Sequence, residues 1–230
     1  MLEVIIFVEG KTEEKFIKEM IAPLFYPQQV FLKPKQLKTS QESEGGALTF
    51  DRLKFNARNK LRENPKAILT TFMDLYKLDT DFPNFEQSKG KPDVYSRVEY
   101  LENALHQAIV QYVDCSPERF IPYIQPYEFE GLLFSDVNAL VSVVSGGQAA
   151  FKKLQKIRDD FPSPEHINDS YETKPSERLK NVFKAEYPKY KKTTHGPLAA
   201  RKITLPVIEQ HCLHFHQWMD KLRALAATQP

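Results

Sequence analysis

Apolar positions along this chain follow two periods in alternation. Residues 3–8 form a short apolar, β-branched run, the pattern of a buried strand. Gly10 breaks it, and Thr12 is placed to cap a helix over about 13–25. Glu13 and Glu14 fall in that helix's first turn, where acids suit the positive end of the dipole. Pro23 is expected to end or kink it. Residues 29–37 read as a second strand, Gly45-Gly46 as a flexible loop, and 48–63 as a helix. Residues 67–73 give a third strand closed by Asp74. A loop rich in Asp, Pro, Lys and Gly covers 75–93, and a helix covers 94–113. Residues 119–125 read as a fourth strand, in which Pro122 predicts an edge position or an irregular ladder. Helices carry the remainder, joined by turn-rich connections at 162–175 and 186–197.

Strands alternating with helices predict an α/β fold with a mostly parallel four-stranded sheet flanked by helices over residues 1–135. Residues 136–230 are expected to add a helical C-terminal elaboration packed on that core as one compact unit. A chain of 230 residues with 41% hydrophobic content supports a sizeable core. Cys115 and Cys212 stand far apart and no CxxC occurs, which argues against a disulfide framework or a cysteine zinc site. No apolar run approaches the roughly 20 residues of a membrane helix, so a cytoplasmic protein is expected. The net charge of +2 hides an uneven distribution. Residues 174–202 carry nine Lys and Arg against two Glu, a local +7 on a body of −5, which predicts a local contact with a polyanion.

Open α/β sheets bind ligands beyond the carboxyl ends of their strands. Here the first strand ends at Glu9, the third at Asp74, and the fourth runs into Glu128 and Glu130. Glu13 lies one helical turn past Glu9 and is in reach of the same point. One acid at a strand end is usually a turn or cap residue, but three strand ends in register give capping no reason to converge them. Such a cluster repels itself unless a cation sits within it, and its hard oxygens suit Mg²⁺ or Mn²⁺. Gly10-Lys11-Thr12 resembles the end of a P-loop, but the motif needs Gly where this chain has Ile5, so an ATPase reading of this segment is rejected. His211 and His214 are three apart and expected on one helix face. They lack a second ligand pair, and packing of Cys212, Phe215 and Trp218 explains that segment better than zinc.

Val8-Glu9-Gly10-Lys11-Thr12-Glu13 resembles the first motif of Toprim domains, found in topoisomerases, primases and the overcoming-lysogenization-defect nucleases. The similarity extends further with the domain-of-unknown-function family 4276, a Toprim-like bacterial group. It runs through Phe72–Tyr76 with Asp81-Phe82-Pro83, through Arg119–Gln125 and Glu128–Asp136, and through Pro175–Leu179 and His195–Leu198 to Trp218. The resemblance implies metal binding by the first-strand Glu and third-strand Asp, roles that fall on Glu9 and Asp74, with Glu13 contributing. A standard Toprim has Asp-x-Asp after the third strand. Position 76 here is Tyr76, so Glu128 or Glu130 is the candidate replacement, and the later Asp79-Thr80-Asp81 reads as loop.

These readings make Glu9, Asp74, Glu128 and Glu130 candidate catalytic residues and, with Glu13, candidate metal ligands. Lys11, Arg178, Lys189, Lys191, Lys192 and His195 are candidate nucleic-acid contacts, with Tyr187 or Tyr190 placed to stack a base. His195, before Gly196-Pro197, is expected in a turn. The function expected is metal-dependent cleavage of DNA or RNA, with an ATPase partner in phage defence implied by analogy. The alternative is a non-catalytic nucleic-acid-sensing or scaffold subunit.

Overall fold

The computed structural model describes residues 1–37, 48–168, 170–184 and 190–227. Gly45, Gly46, Tyr187 and Lys189 lie outside the described residues, as does every other position of 38–47 and 185–189. The chain divides into two units, 1–125 with 218–230, and 126–217. The second unit is thus an insertion in the sequence of the first.

In the first unit, β1 (Leu2–Val8) leads into α1 (Lys11–Phe16), which continues as a π-helical turn over Ile17–Ile21 and a 3₁₀ turn over Ala22–Leu24 with Pro23 inside it. Thr12 does not cap α1. The N-cap is Gly10, and Thr12 is buried within the helix. Next come β2 (Val30–Gln36), α2 (Phe50–Glu63), β3 (Ile68–Asp74), the short α3 (Phe85–Ser88) and α4 (Val94–Val113). The expected fourth strand is broken into β4 (Phe120–Ile121) and β5 (Ile124–Gln125), both parallel to β3. Strand order is β2-β1-β3-β4, with β5 also on β3, and every pairing is parallel. Parallel strands covered on both faces read as continuous apolar runs, and all seven residues of β3 are buried.

The break falls where Pro122 cannot donate. A side chain replaces the missing ladder: the Thr71 hydroxyl donates to the Tyr123 carbonyl and accepts from the Tyr123 N–H, both at 2.8 Å. Trp218 packs on Phe72 and Tyr123, with ring centroids 5.3 and 4.8 Å away, and its indole N–H donates to Thr70 Oγ1 at 2.9 Å. The last residues of the chain therefore complete the core of its first unit.

The second unit is helical: α5 (Val137–Ser142), α6 (Phe151–Asp159), α7 (Pro175–Lys184), α8 (Lys192–Ile203), α9 (Leu205–His211) and the start of α10 (Leu213–Ala227). His195, Gly196 and Pro197 lie inside α8 rather than in a turn. Burial of Gly196, Pro197, Ala199 and Ala200 on one face outweighs the poor helix propensity of Gly and Pro. His211 and His214 do not share a helix, because the chain breaks at Cys212; His211 is exposed and His214 buried. Among the described residues no helix is long and apolar enough to cross a membrane.

Candidate functional site

In the first unit, β1 and β3 run side by side with Val8 opposite Phe72. That register brings Glu9, just past β1, level with the end of β3. Glu9 Oε1 accepts the backbone N–H of Asp74 at 2.6 Å. Asp74 is 1% exposed and Glu9 half-buried, so two carboxylates are held at the carboxyl ends of adjacent parallel strands. Glu13 turns back toward the same point. A Cβ added to Gly10 would lie 3.1 Å from Glu13 Oε2, and Glu13 is only 3% exposed. Its neighbour Glu14 points the other way, bonded to Lys18 and Gln36. Lys18 and the Gln36 amide hold the Glu14 carboxyl below its ordinary range. Lys11 is exposed at the start of α1.

Among the described residues no group of three or more His, Cys, Asp and Glu side chains is gathered as a ready-made metal cage. The donor set nevertheless fits one kind of ion. Mg²⁺ dehydrates reluctantly and is commonly held by one or two carboxylates, waters and substrate phosphates. Glu9 and Asp74 supply such carboxylates, and the bare Cα of Gly10 leaves the room that Glu13 uses.

The later Asp79-Thr80-Asp81 is committed to local structure. Both Asp81 oxygens accept the Phe50 N–H at 2.9 Å, and Asp79 accepts the Thr80 N–H. Tyr76 lies in a 3₁₀ turn over Leu75–Lys77. A buried acid of the first unit escaped the sequence reading: Glu102, 6% exposed on α4, accepts the Ile124 N–H at 2.7 Å. Its signal was readable. Glu102 stands four after Val98 and three before Leu105, on the buried stripe of α4.

In the second unit, Glu128 and Glu130 each meet a lysine. Glu128 is 4% exposed; Oε1 lies 3.0 Å from Lys174 Nζ, and Oε2 accepts the Ser176 N–H at 2.9 Å in the first turn of α7. Burial alone would raise the Glu128 carboxyl, but the Ser176 bonds and the Lys174 charge outweigh it and hold the group below its ordinary value. Lys174 is held above its ordinary value, since Glu128 and Tyr171 outweigh its burial. Glu130 is fully buried, with Oε2 3.2 Å from Lys192 Nζ.

The basic segment is partly structural. The Arg178 guanidinium bonds the Thr173 carbonyl and lies over Phe161. Tyr190 is not placed to stack a base: it is buried, and its ring lies 6.1 Å from Phe183. Lys191 is exposed. His195 Nδ1 accepts the Lys191 N–H at 2.8 Å, which leaves the ring proton on Nε2. Burial, then the Lys191 charge, lowers the His195 pKa and favours the neutral ring.

A family model described as "Domain of unknown function (DUF4276)" matches residues 8–223. No curated protein and no solved structure matches the chain.

Proposed function

The chain belongs to the DUF4276 family, and from the acids at the carboxyl ends of its parallel strands we propose that it is a Mg²⁺- or Mn²⁺-dependent nuclease. One observation carries the reading: Glu9 and Asp74 meet at the ends of β1 and β3, tied by the 2.6 Å bond from the Asp74 N–H to Glu9 Oε1. That bond fixes the Glu9 carboxylate at the strand ends. Gly10, extended at φ −146°, follows without a side chain, which lets the Glu13 carboxylate fold close to the backbone. Glu13, folded over Gly10, adds negative charge from behind. A bound divalent ion would supply charge for the phosphoryl oxygens and lower the pKa of an attacking water. Lys11, exposed at the start of α1, is the proposed phosphate contact in this unit. Glu128 and Glu130 enter this reading as charge partners of Lys174 and Lys192.

The test combines Mn²⁺ titration with cleavage of single- and double-stranded DNA and RNA, with and without the ATPase partner that the Toprim resemblance implies. Wild type is expected to bind Mn²⁺ and cleave. Glu9→Gln and Asp74→Asn should lose both while melting like wild type. Equal cleavage by wild type and Glu9→Gln would overturn the nuclease reading. A second reading, a non-catalytic nucleic-acid-sensing or scaffold subunit, is favoured by Tyr76 at the second Toprim Asp position and by the use of Asp81 as a helix cap. Wild-type protein that fails to bind Mn²⁺ selects it.

A further inference from the structure

Helix α2 carries five Lys and Arg against Asp51 and Glu63, a local +3 within the part of the chain that is otherwise acidic. Two aromatic rings stand exposed on this side of the first unit, Phe55 at 51% and Tyr112 of α4 at 37%. Large exposed aromatics lose apolar burial, so a pair of them among cations asks for an explanation. The cations hold them in place. The Arg58 guanidinium lies 5.2 Å from the Phe55 centroid and 5.3 Å from that of Tyr112, and Lys54 Nζ lies 5.4 Å from Tyr112. Lys54 and Lys60 each pair with an acid on the same helix. Among the described residues Arg58 and Arg62 form no ion pair. Their charge is available to an outside anion.

Helix α2 begins at the sheet's carboxyl end. The Leu48 N–H donates to the Lys77 carbonyl at 2.8 Å, the Asp79 N–H donates to Leu48 at 3.0 Å, and Asp81 caps Phe50. Those bonds tie the start of α2 to the loop that follows Asp74. From there the helix runs about 18 Å from Phe50 to Arg62.

We infer that the Phe55–Tyr112–Arg58–Arg62 face binds single-stranded nucleic acid, with bases stacking on the rings and phosphates meeting the arginines. Charge complementarity and stackable rings select this polymer. A duplex hides its base faces, and an acidic peptide has no use for two exposed aromatics. The inference deepens the nuclease reading and rests on it for the class of polymer.

The experiment measures binding without chemistry, in EDTA, by fluorescence anisotropy with labelled oligothymidylate, oligouridylate, a matched duplex and polyglutamate. The full chain should bind a single strand, of DNA or RNA, more tightly than the duplex or polyglutamate. Phe55→Ala with Tyr112→Ala should weaken that binding by roughly fivefold to 150-fold for each ring, with the salt dependence unchanged. Arg58→Gln with Arg62→Gln should lower the slope of log K against log salt by about 1.4, two single-strand phosphate contacts. All four positions are solvent-accessible, and a thermal melt of each double variant should match wild type. Because binding is read without metal, its outcome is separate from that of the Mn²⁺ titration that tests the metal site. Equal affinity of wild type and the aromatic variant, or equal binding of duplex or polyglutamate, overturns the inference.

Discussion

At Gly10 a single methyl group decides how Glu13 sits. The backbone there is extended, so alanine meets no conformational objection and trims the freedom of the unfolded chain. The obstacle is Glu13 Oε2, 3.1 Å from the added Cβ. Gly10→Ala is therefore expected to keep or slightly raise thermal stability while weakening Mn²⁺ affinity, as read by titration beside a melt. A loss of stability with unchanged Mn²⁺ affinity would show that Glu13 has no part in ion binding. The carboxylates Glu9 and Asp74 were legible because both follow apolar runs. The inward turn of Glu13 and the outward turn of Glu14 were not, since adjacent acids in a first helical turn look alike in sequence. The lysines that meet Glu128 and Glu130 were equally hidden, lying 46 and 62 residues further along, at Lys174 and Lys192.

Among elements, the broken strand near Pro122 teaches most. Proline announced an irregular ladder, but nothing in the sequence signalled that a threonine on the preceding strand would mend it. Thr71 sits in an apolar β-branched run and reads as another strand former. Its hydroxyl serves both the N–H and the carbonyl of Tyr123, which is 1% exposed. Thr71→Val keeps shape and strand propensity and removes both bonds. It should cost about 1–3 kcal/mol or more, the penalty for stranding buried backbone groups. Urea denaturation followed by Trp218 emission measures this, since Trp218 packs on Tyr123. An unchanged midpoint would mean that the Thr71 bonds add nothing. Helix α4 matched its pattern to the residue, whereas the first helix gave way after Phe16 to π and 3₁₀ turns that periodicity does not distinguish.

For the molecule as a whole, acid sensitivity should trace to one buried pair in the second unit. Glu128 titrates below its ordinary value when folded, so its contribution is complete above the usual carboxylate range, about pH 4–5, and fades as pH falls through the lowered value. Lys174 titrates above its ordinary value, so its share is complete below about pH 10 and fades as pH rises beyond. Between these limits Glu128→Gln, which leaves Lys174 buried without its charge partner, should cost about 3–5 kcal/mol. It should also flatten the acid limb of a stability–pH curve measured by chemical denaturation. A Glu128→Gln curve parallel to wild type below pH 4 would assign the acid loss to other carboxylates.

The return of Trp218 to the first unit also sets a timetable for synthesis. Strands β1 to β5 have all left the ribosome's active centre by Gln125, but the indole that caps Thr70 and covers Phe72 is made only after residues 126–217. At a translation rate of about 5–20 residues per second, that interval lasts roughly 5–20 s. During it the apolar surface around Phe72 and Tyr123 waits without its cover, in a nascent chain that chaperones are built to bind. Slowing translation within 126–217 should lengthen that exposure, and speeding it should spare the cell the burden.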